Sequence, residues 1–363
     1  MIFFANPKSE YVYLKKKIDA KIKKVLNSNS YVLSKEVDNF EKKFSKYLRV
    51  KYSVGVSNGT DAIVLALQAS NIRKGDEVIT TSHTAFATIA AIVDVGAIPV
   101  FIDIKEDDFT IDVSKVENKI NSKTKAIIAV HIYGNPVDIL KLKRIKKKYN
   151  IILIEDCAQA HGSEYNKKKT GTFGDISCFS FYPTKNLSTF GDAGMVSTNS
   201  SKIYKKIKLL REYGWIKKNI SLQKGSNKRL DELHAAILSV KLDYLDKFNN
   251  KRIAIANKYL KLIKSEKLIL PKLNSIKKHV FHLFVVRVKD KQRDNFLKYL
   301  KKHNIYPGIH YPLPNHKQIP FKKYSKTKLY VTEKISKEIV SIPNYPLLKT
   351  REINKIIRVI NSF

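Results

Sequence analysis

One lysine of this chain is set apart by its neighbours. The sequence holds 69 Lys and Arg among 363 residues, so a stretch of about 32 residues should carry about six. The stretch from Thr170 to Ser201 carries a single one, Lys185. Everything around it is small, hydroxylic, aromatic or glycine. An amine in such surroundings is partly desolvated, its pKa falls, and it becomes a candidate nucleophile toward carbonyls. Lysines that form Schiff bases with carbonyl substrates or with pyridoxal phosphate (PLP) need that environment. A surface-loop lysine is the plain alternative.

Three other clusters sit where ligands gather in parallel sheets, beyond the carboxyl ends of strands. Ser57-Asn58-Gly59-Thr60-Asp61 joins a strand to a helix N-terminus, whose backbone N–H groups and dipole suit a phosphate; the same junction also occurs with no ligand. Asp156 ends the apolar run Ile151–Asp156 and is followed by Cys157-Ala158-Gln159-Ala160-His161-Gly162. A carboxylate there can keep a pyridine nitrogen protonated, turning the ring into an electron sink. Gln159 could bond a phenolic oxygen, or the acid could simply cap the next helix. Ser180 precedes Lys185 by five residues and is a second phosphate ligand candidate. Gly225–Glu232 is a polar loop leading into a helix and reads, alone, as an N-cap. A phosphate loop, an acid after a buried strand and a lone lysine, in that order, describe a fold-type I PLP enzyme.

The elements that must hold these groups are legible. Tyr11–Leu26 and Ser34–Leu48 have helical periodicity. Strands are predicted at Ser53–Val56, Glu77–Thr80, Ile98–Ile104, Lys125–Gly134 and Ile151–Asp156, with helices from about Thr60, over Thr84–Val95 and over Asp138–Tyr149. That alternation means βαβ units and a parallel sheet, and the apolar runs mean burial on both faces. Asp175–Phe181 and Ala193–Thr198 are two more strands, followed by helices at Lys202–Tyr213 and Leu230–Ile263. After Pro271 the texture is α+β: a strand at His279–Val288, a helix at Arg293–His303, a Pro-rich loop from Pro307 to Pro320, and helices near Thr332 and Arg351. The predicted architecture is α/β, aspartate aminotransferase-like. A large PLP-binding domain spans residues 1–249, and a smaller α+β domain spans 250–363.

Composition narrows the partners. The formal charge is +37, which would suit nucleic acid or an anionic membrane surface. The charge is spread over helix faces and short runs, and no nucleic-acid-binding signature accompanies it. We therefore expect a solvated basic surface, no nucleic acid and no membrane span. The N-terminus lacks signal-peptide features. Cys157 and Cys178 offer neither a zinc spacing nor a disulfide framework, so no metal and a cytoplasmic location are expected.

The motifs together carry a resemblance. SNGTDA, EDCAQAHG, SFYPTKN, GIHYPLP and SIPNYPLL, spread over nearly the whole chain, are similar to those of the DegT/DnrJ/EryC1/StrS family of sugar aminotransferases. That resemblance implies a PLP cofactor on Lys185, Asp156 at the pyridine nitrogen and Gln159 at the ring hydroxyl. It implies Gly59, Thr60 and Ser180 at the phosphate, with Asn227 reaching the phosphate of a neighbouring subunit in a homodimer with shared sites. Tyr182, His310 and Tyr311 would lie near the nucleotide sugar. Glutamate would be the donor and a nucleotide-linked keto sugar the acceptor, with a product destined for an O-antigen or another glycan.

One position departs from the family. Ala85 stands where an aromatic residue usually stacks on the cofactor ring, leaving His83 or Phe86 to take over. The segment SHTAFATIAAI, with REYGW and NKRLDELHAAILSVKL, resembles the subgroup acting on dTDP-3-keto-6-deoxyhexoses; amination at C4 is the alternative. A family dehydratase replaces the lysine with histidine, and Lys185 is retained. A cysteine desulfurase needs a cysteine on a mobile loop. A PLP-binding regulator predicts a separate DNA-binding module, which is not visible.

Overall fold

The computed structural model describes residues 1–325 and 328–363. Seven strands form the central sheet, in the order Tyr52–Val56, Gly194–Thr198, Ile176–Ser180, Ile152–Asp156, Thr124–Val130, Glu77–Thr81, Ile98–Ile102. All run the same way except Gly194–Thr198, which is antiparallel to both neighbours. Its two neighbours bury it on both sides, and all five of its residues are buried. Helices Gly59–Ala69, Phe86–Asp94 and Ile139–Tyr149 cross over between strands. The sheet is thus mostly parallel, as the alternation predicts, and the chain is an α/β protein.

Two predicted elements end differently. The helix expected over 230–263 is two helices, Glu232–Leu242 and Leu245–Leu262. A tightened turn separates them, with Tyr244 N–H donating to Lys241 O at 3.0 Å. The Tyr244 ring there packs against Tyr13 and Phe248. The strand expected over 279–288 is ordered as a strand only at Phe284–Val288. Upstream, the backbone bonds elsewhere: Val280 N–H donates to Gly134 O at 3.1 Å and Leu283 N–H to Tyr133 O at 3.4 Å. Tertiary partners outbid the sheet ladder for these donors, which must be satisfied somewhere.

A second core lies toward the C-terminus. Leu268–Ile269, Phe284–Val288 and Ile339–Ile342 make a small antiparallel sheet. Helices Arg293–Lys302 and Thr350–Asn361 bury Phe296, Leu300, Ile356 and Ile360 in the same core. The N-terminal strand Ile2–Phe3 joins this region by pairing with Ile305–Tyr306. Helix Leu245–Leu262 connects the two cores: Leu245 joins the cluster of Phe179 and Met195 on the central sheet, whereas Ile255 and Tyr259 join that of Phe284.

Candidate active site

The strand ends converge on a cavity of about 700 Å³. Gly59, Thr60, Asp156, Gln159, Ser180 and Lys185 all line it. Helix Gly59–Ala69 begins at its rim because Asn58 caps it, the Asn58 Oδ1 accepting from Asp61 N–H at 2.8 Å. A Cβ on Gly59 would lie 2.6 Å from Ser180 Cβ. Only glycine lets the helix N-terminus approach Ser180, and that approach leaves N–H groups and a hydroxyl around one spot, a fitting cradle for a phosphate.

Asp156 is buried, and its two oxygens are held separately. Thr88 Oγ1 donates to Oδ2 at 2.9 Å, and Ala158 N–H donates to Oδ1 at 3.1 Å. Thr88 sits one turn into helix Phe86–Asp94 and shares a hydroxyl contact of 2.9 Å with Thr84. Lys185 keeps part of its surface open to the cavity. Among the described residues it makes no ion pair. Burial pulls its ammonium down to about 8, against a smaller opposing pull from the Asp156 charge. A neutral amine is therefore within reach at moderately alkaline pH. The cradle, the carboxylate and the amine lie on one cavity and together fit a group such as PLP, which carries a phosphate, a ring nitrogen and an aldehyde.

The adjacent carboxylate does something else. Glu155 accepts from Gly171 N–H, Phe173 N–H and Gly174 N–H at 2.7–2.8 Å, and faces His131 Nε2 at 3.0 Å. With Cys157 these groups bring three ligand-type atoms within 4.8 Å of one another. The carboxylate is already saturated, and burial pushes the Cys157 thiol well up. The cluster is a clamp on loop 171–174.

Gln159 is turned toward protein partners. Its Oε1 accepts from Tyr133 N–H at 2.6 Å, and its Nε2 donates to Tyr311 Oη at 2.9 Å. Tyr311 and His310 line the cavity from the C-terminal region, and Tyr182, half exposed, lines its mouth. His310 Nδ1 bonds Ser341 Oγ at 2.9 Å. Asn227 is exposed and does not line this cavity.

The structure corrects the expectation for the ring-stacking position. Neither His83 nor Phe86 lines the cavity; Ala85 does. Phe86 points outward, 48% exposed, with its ring 4.7 Å from that of Phe321. His83 is drawn into the protein instead. Its Nε2 lies 2.7 Å from Tyr133 Oη, which in turn donates to the His310 carbonyl. Burial lowers the His83 pKa to about 4, so the neutral ring is a fixed part of that chain.

Sequence reasoning missed Thr88, Tyr133 and His282. Thr84 and Thr88, four residues apart at the start of an apolar helix, were one available signal. His282, a lone imidazole interrupting the apolar run His279–Val288, was another.

Known proteins agree with this geometry. The sequence profile of the DegT/DnrJ/EryC1/StrS aminotransferase family matches residues 12–361. The chain is 45% identical, over 100% of its length and 99% of the relative's, to a dTDP-3-amino-3,6-dideoxy-alpha-D-galactopyranose transaminase of Aneurinibacillus thermoaerophilus. It is 39% identical to a protein of Geobacillus stearothermophilus named a pleiotropic regulatory protein, over 98% and 96% of the two chains. The fold superposes on S. venezuelae DesV, solved in complex with a ketimine intermediate, with a TM-score of 0.96, 35% identity and 99% and 98% coverage. With the cavity, the cradle and the unpaired lysine in place, the chain belongs to the DegT/DnrJ/EryC1/StrS family and is a PLP-dependent aminotransferase.

Proposed function

We propose that this protein moves an amino group from glutamate to a nucleotide-linked keto-deoxysugar, converting a dTDP-3-keto-6-deoxyhexose into a dTDP-3-amino-3,6-dideoxyhexose. The observation that carries the reading is Lys185, an amine without a carboxylate partner, on the same cavity as Asp156 and the Gly59–Ser180 cradle. The 45% identity to a 3-amino-3,6-dideoxygalactose transaminase supports the sugar and the carbon.

PLP, when bound, supplies an aldehyde that takes up the amino group and a ring that absorbs negative charge at the reacting carbon. The chain's own residues do the rest. Lys185 Nζ moves the proton between the two carbon positions, which needs its neutral form and hence its lowered pKa. Asp156 keeps the ring nitrogen protonated, and Thr88 and Ala158 N–H hold its carboxylate in place. Gln159 serves the ring hydroxyl with the Nε2 hydrogen that Tyr311 does not take, and Gly59, Thr60 and Ser180 serve the phosphate. Tyr182, His310 and Tyr311 form the acceptor side. Asn227, exposed and outside its own cavity, fits a role in the site of a second copy, so the working unit is a homodimer with shared sites. No described helix is long and apolar enough to cross a membrane, and the buried free thiols Cys157 and Cys178 suit a reducing cytoplasm. The product would serve an O-antigen or a related glycan.

The test is the visible absorption of the PLP-loaded protein. Glutamate should remove the cofactor band, and a dTDP-3-keto-6-deoxyhexose should restore it. Restoration by a 4-keto sugar alone would replace the C3 assignment with C4. A band indifferent to glutamate and other amino donors would end the amino-transfer reading.

A further inference from the structure

The cavity wall holds an imidazole with no role in the scheme above. His282 is 6% exposed and lines the cavity with Lys185 and His310. Its tautomer follows from a chain of bonds that begins at a backbone carbonyl. A carbonyl oxygen only accepts, so the 2.7 Å bond from Asn249 Nδ2 to His161 O orients the Asn249 amide. Asn249 Oδ1 then accepts from Asn186 Nδ2 at 2.8 Å, and the same Nδ2 meets a second carbonyl, Val280 O, at 3.4 Å. Asn186 Oδ1 is left facing His282 Nδ1 at 3.1 Å. As an amide oxygen cannot donate, His282 carries its proton on Nδ1.

Nε2 therefore presents a bare lone pair. It bonds to no described residue, yet it is not among the sealed, unpaired atoms of the interior, because the ring forms part of the cavity wall. Burial, reinforced by the Lys185 and Arg252 charges, holds the imidazole well below its ordinary pKa, so a second proton is not taken up at Nε2.

We propose that His282 Nε2 accepts a hydrogen bond from a hydroxyl of the keto sugar and is a specificity-determining residue for the acceptor half-reaction. The inference rests on the amino-transfer reading above. In that reading one cavity serves two chemically different substrates. A bare lone pair repels a carboxylate oxygen and accepts an O–H, so it favours the sugar, whereas glutamate brings only carboxylates beyond its reacting amine. A site built to pair with a substrate hydroxyl discriminates strongly, because the unpaired group is left desolvated otherwise.

Two substitutions separate this role from a structural one. His282→Asn keeps a donor near the Nδ1 position for Asn186 and deletes the Nε2 acceptor. His282→Gln places an amide oxygen near the Nε2 position. On the PLP-loaded enzyme, His282→Asn should lower kcat/KM for the dTDP-3-keto-6-deoxyhexose half-reaction by about 30-fold, with the glutamate half-reaction within about threefold of wild type. His282→Gln should recover part of the loss. Calorimetric binding to the pyridoxamine phosphate form, which has no aldehyde for the amino sugar to react with, gives a readout without turnover: His282→Asn should weaken dTDP-3-amino-3,6-dideoxygalactose by about tenfold and leave dTDP itself unchanged. Equal losses in both half-reactions, or unchanged affinity for the sugar nucleotide, would overturn the proposal. A wild type that reacts with glutamate but with no keto-sugar nucleotide would instead overturn the functional reading, and this inference with it.

Discussion

Lys185 and Lys241 are both withdrawn from water, and only one is left without a counter-charge. Lys241 Nζ lies 2.8 Å from Glu10 Oε2 and donates to Ser188 Oγ at 2.7 Å. Arg252 approaches the same glutamate at 3.5 Å. Lys185 lies five residues before Phe190, whose ring Lys241 faces, yet no described carboxylate pairs with it. The nearest acid with an influence is Asp156, and its oxygens are engaged by Thr88 and Ala158. Burial without a partner destabilises the ammonium; burial with one retains it. The difference separates a nucleophile from a structural cation in a chain that has 69 basic residues.

The sharpest way to break this comparison is to remove each amine in turn. Lys185→Ala should slow the glutamate half-reaction by at least about 1000-fold, since both the covalent and the proton-transfer roles go with it. A loss under tenfold would show that burial of this amine has no catalytic meaning. Next in size is Asp156→Asn, expected to slow both half-reactions by about 100-fold through the weakened hold on the ring proton. Single-turnover rates for each half would show whether the effect is shared; a loss confined to the sugar half would reassign Asp156.

Lys241→Met should leave the rate per folded molecule within about threefold while lowering unfolding free energy by about 3 kcal/mol, because Glu10 loses its nearest partner in the interior. Denaturant titration measures this, and adding Glu10→Gln should return much of the loss.

The smallest effect is in pH. Capture of PLP by the cofactor-free protein should follow the neutral amine and rise through a midpoint near 8, against 10.5 for an ordinary lysine. The sign for stability follows from linkage. Between about 8 and 10.5 the unfolded chain still binds the Lys185 proton and the folded chain does not, so cofactor-free stability rises with pH across that window. Thermal melts of wild type against Lys185→Met should show the slope in wild type alone.

Much of this was open to sequence reasoning because it is local. Apolar runs with turn residues between them place the strands, and the short motifs around Gly59, Asp156 and Lys185 fall at strand ends. The stacking position was not legible. Ser82 to Phe86 offers His83 and Phe86 on either side of Ala85, and neither meets the cavity because Tyr133 draws His83 inward and Phe321 holds Phe86 outside. The role of His282 was equally hidden, because its tautomer depends on Asn186, Asn249 and a carbonyl at His161.

By itself the sequence determined the alternation of strands and helices, the order of phosphate loop, acid and lysine, and the solitary character of Lys185. These follow from hydrophobic period and from neighbours along the chain. Tertiary structure alone decided that Gly194–Thr198 runs against the sheet, that Glu10 neutralises Lys241 rather than Lys185, and that a bare imidazole nitrogen opens on the cavity. Each of these depends on groups far apart in the chain, and a desolvated charge or lone pair acquires its properties only from what packing places beside it.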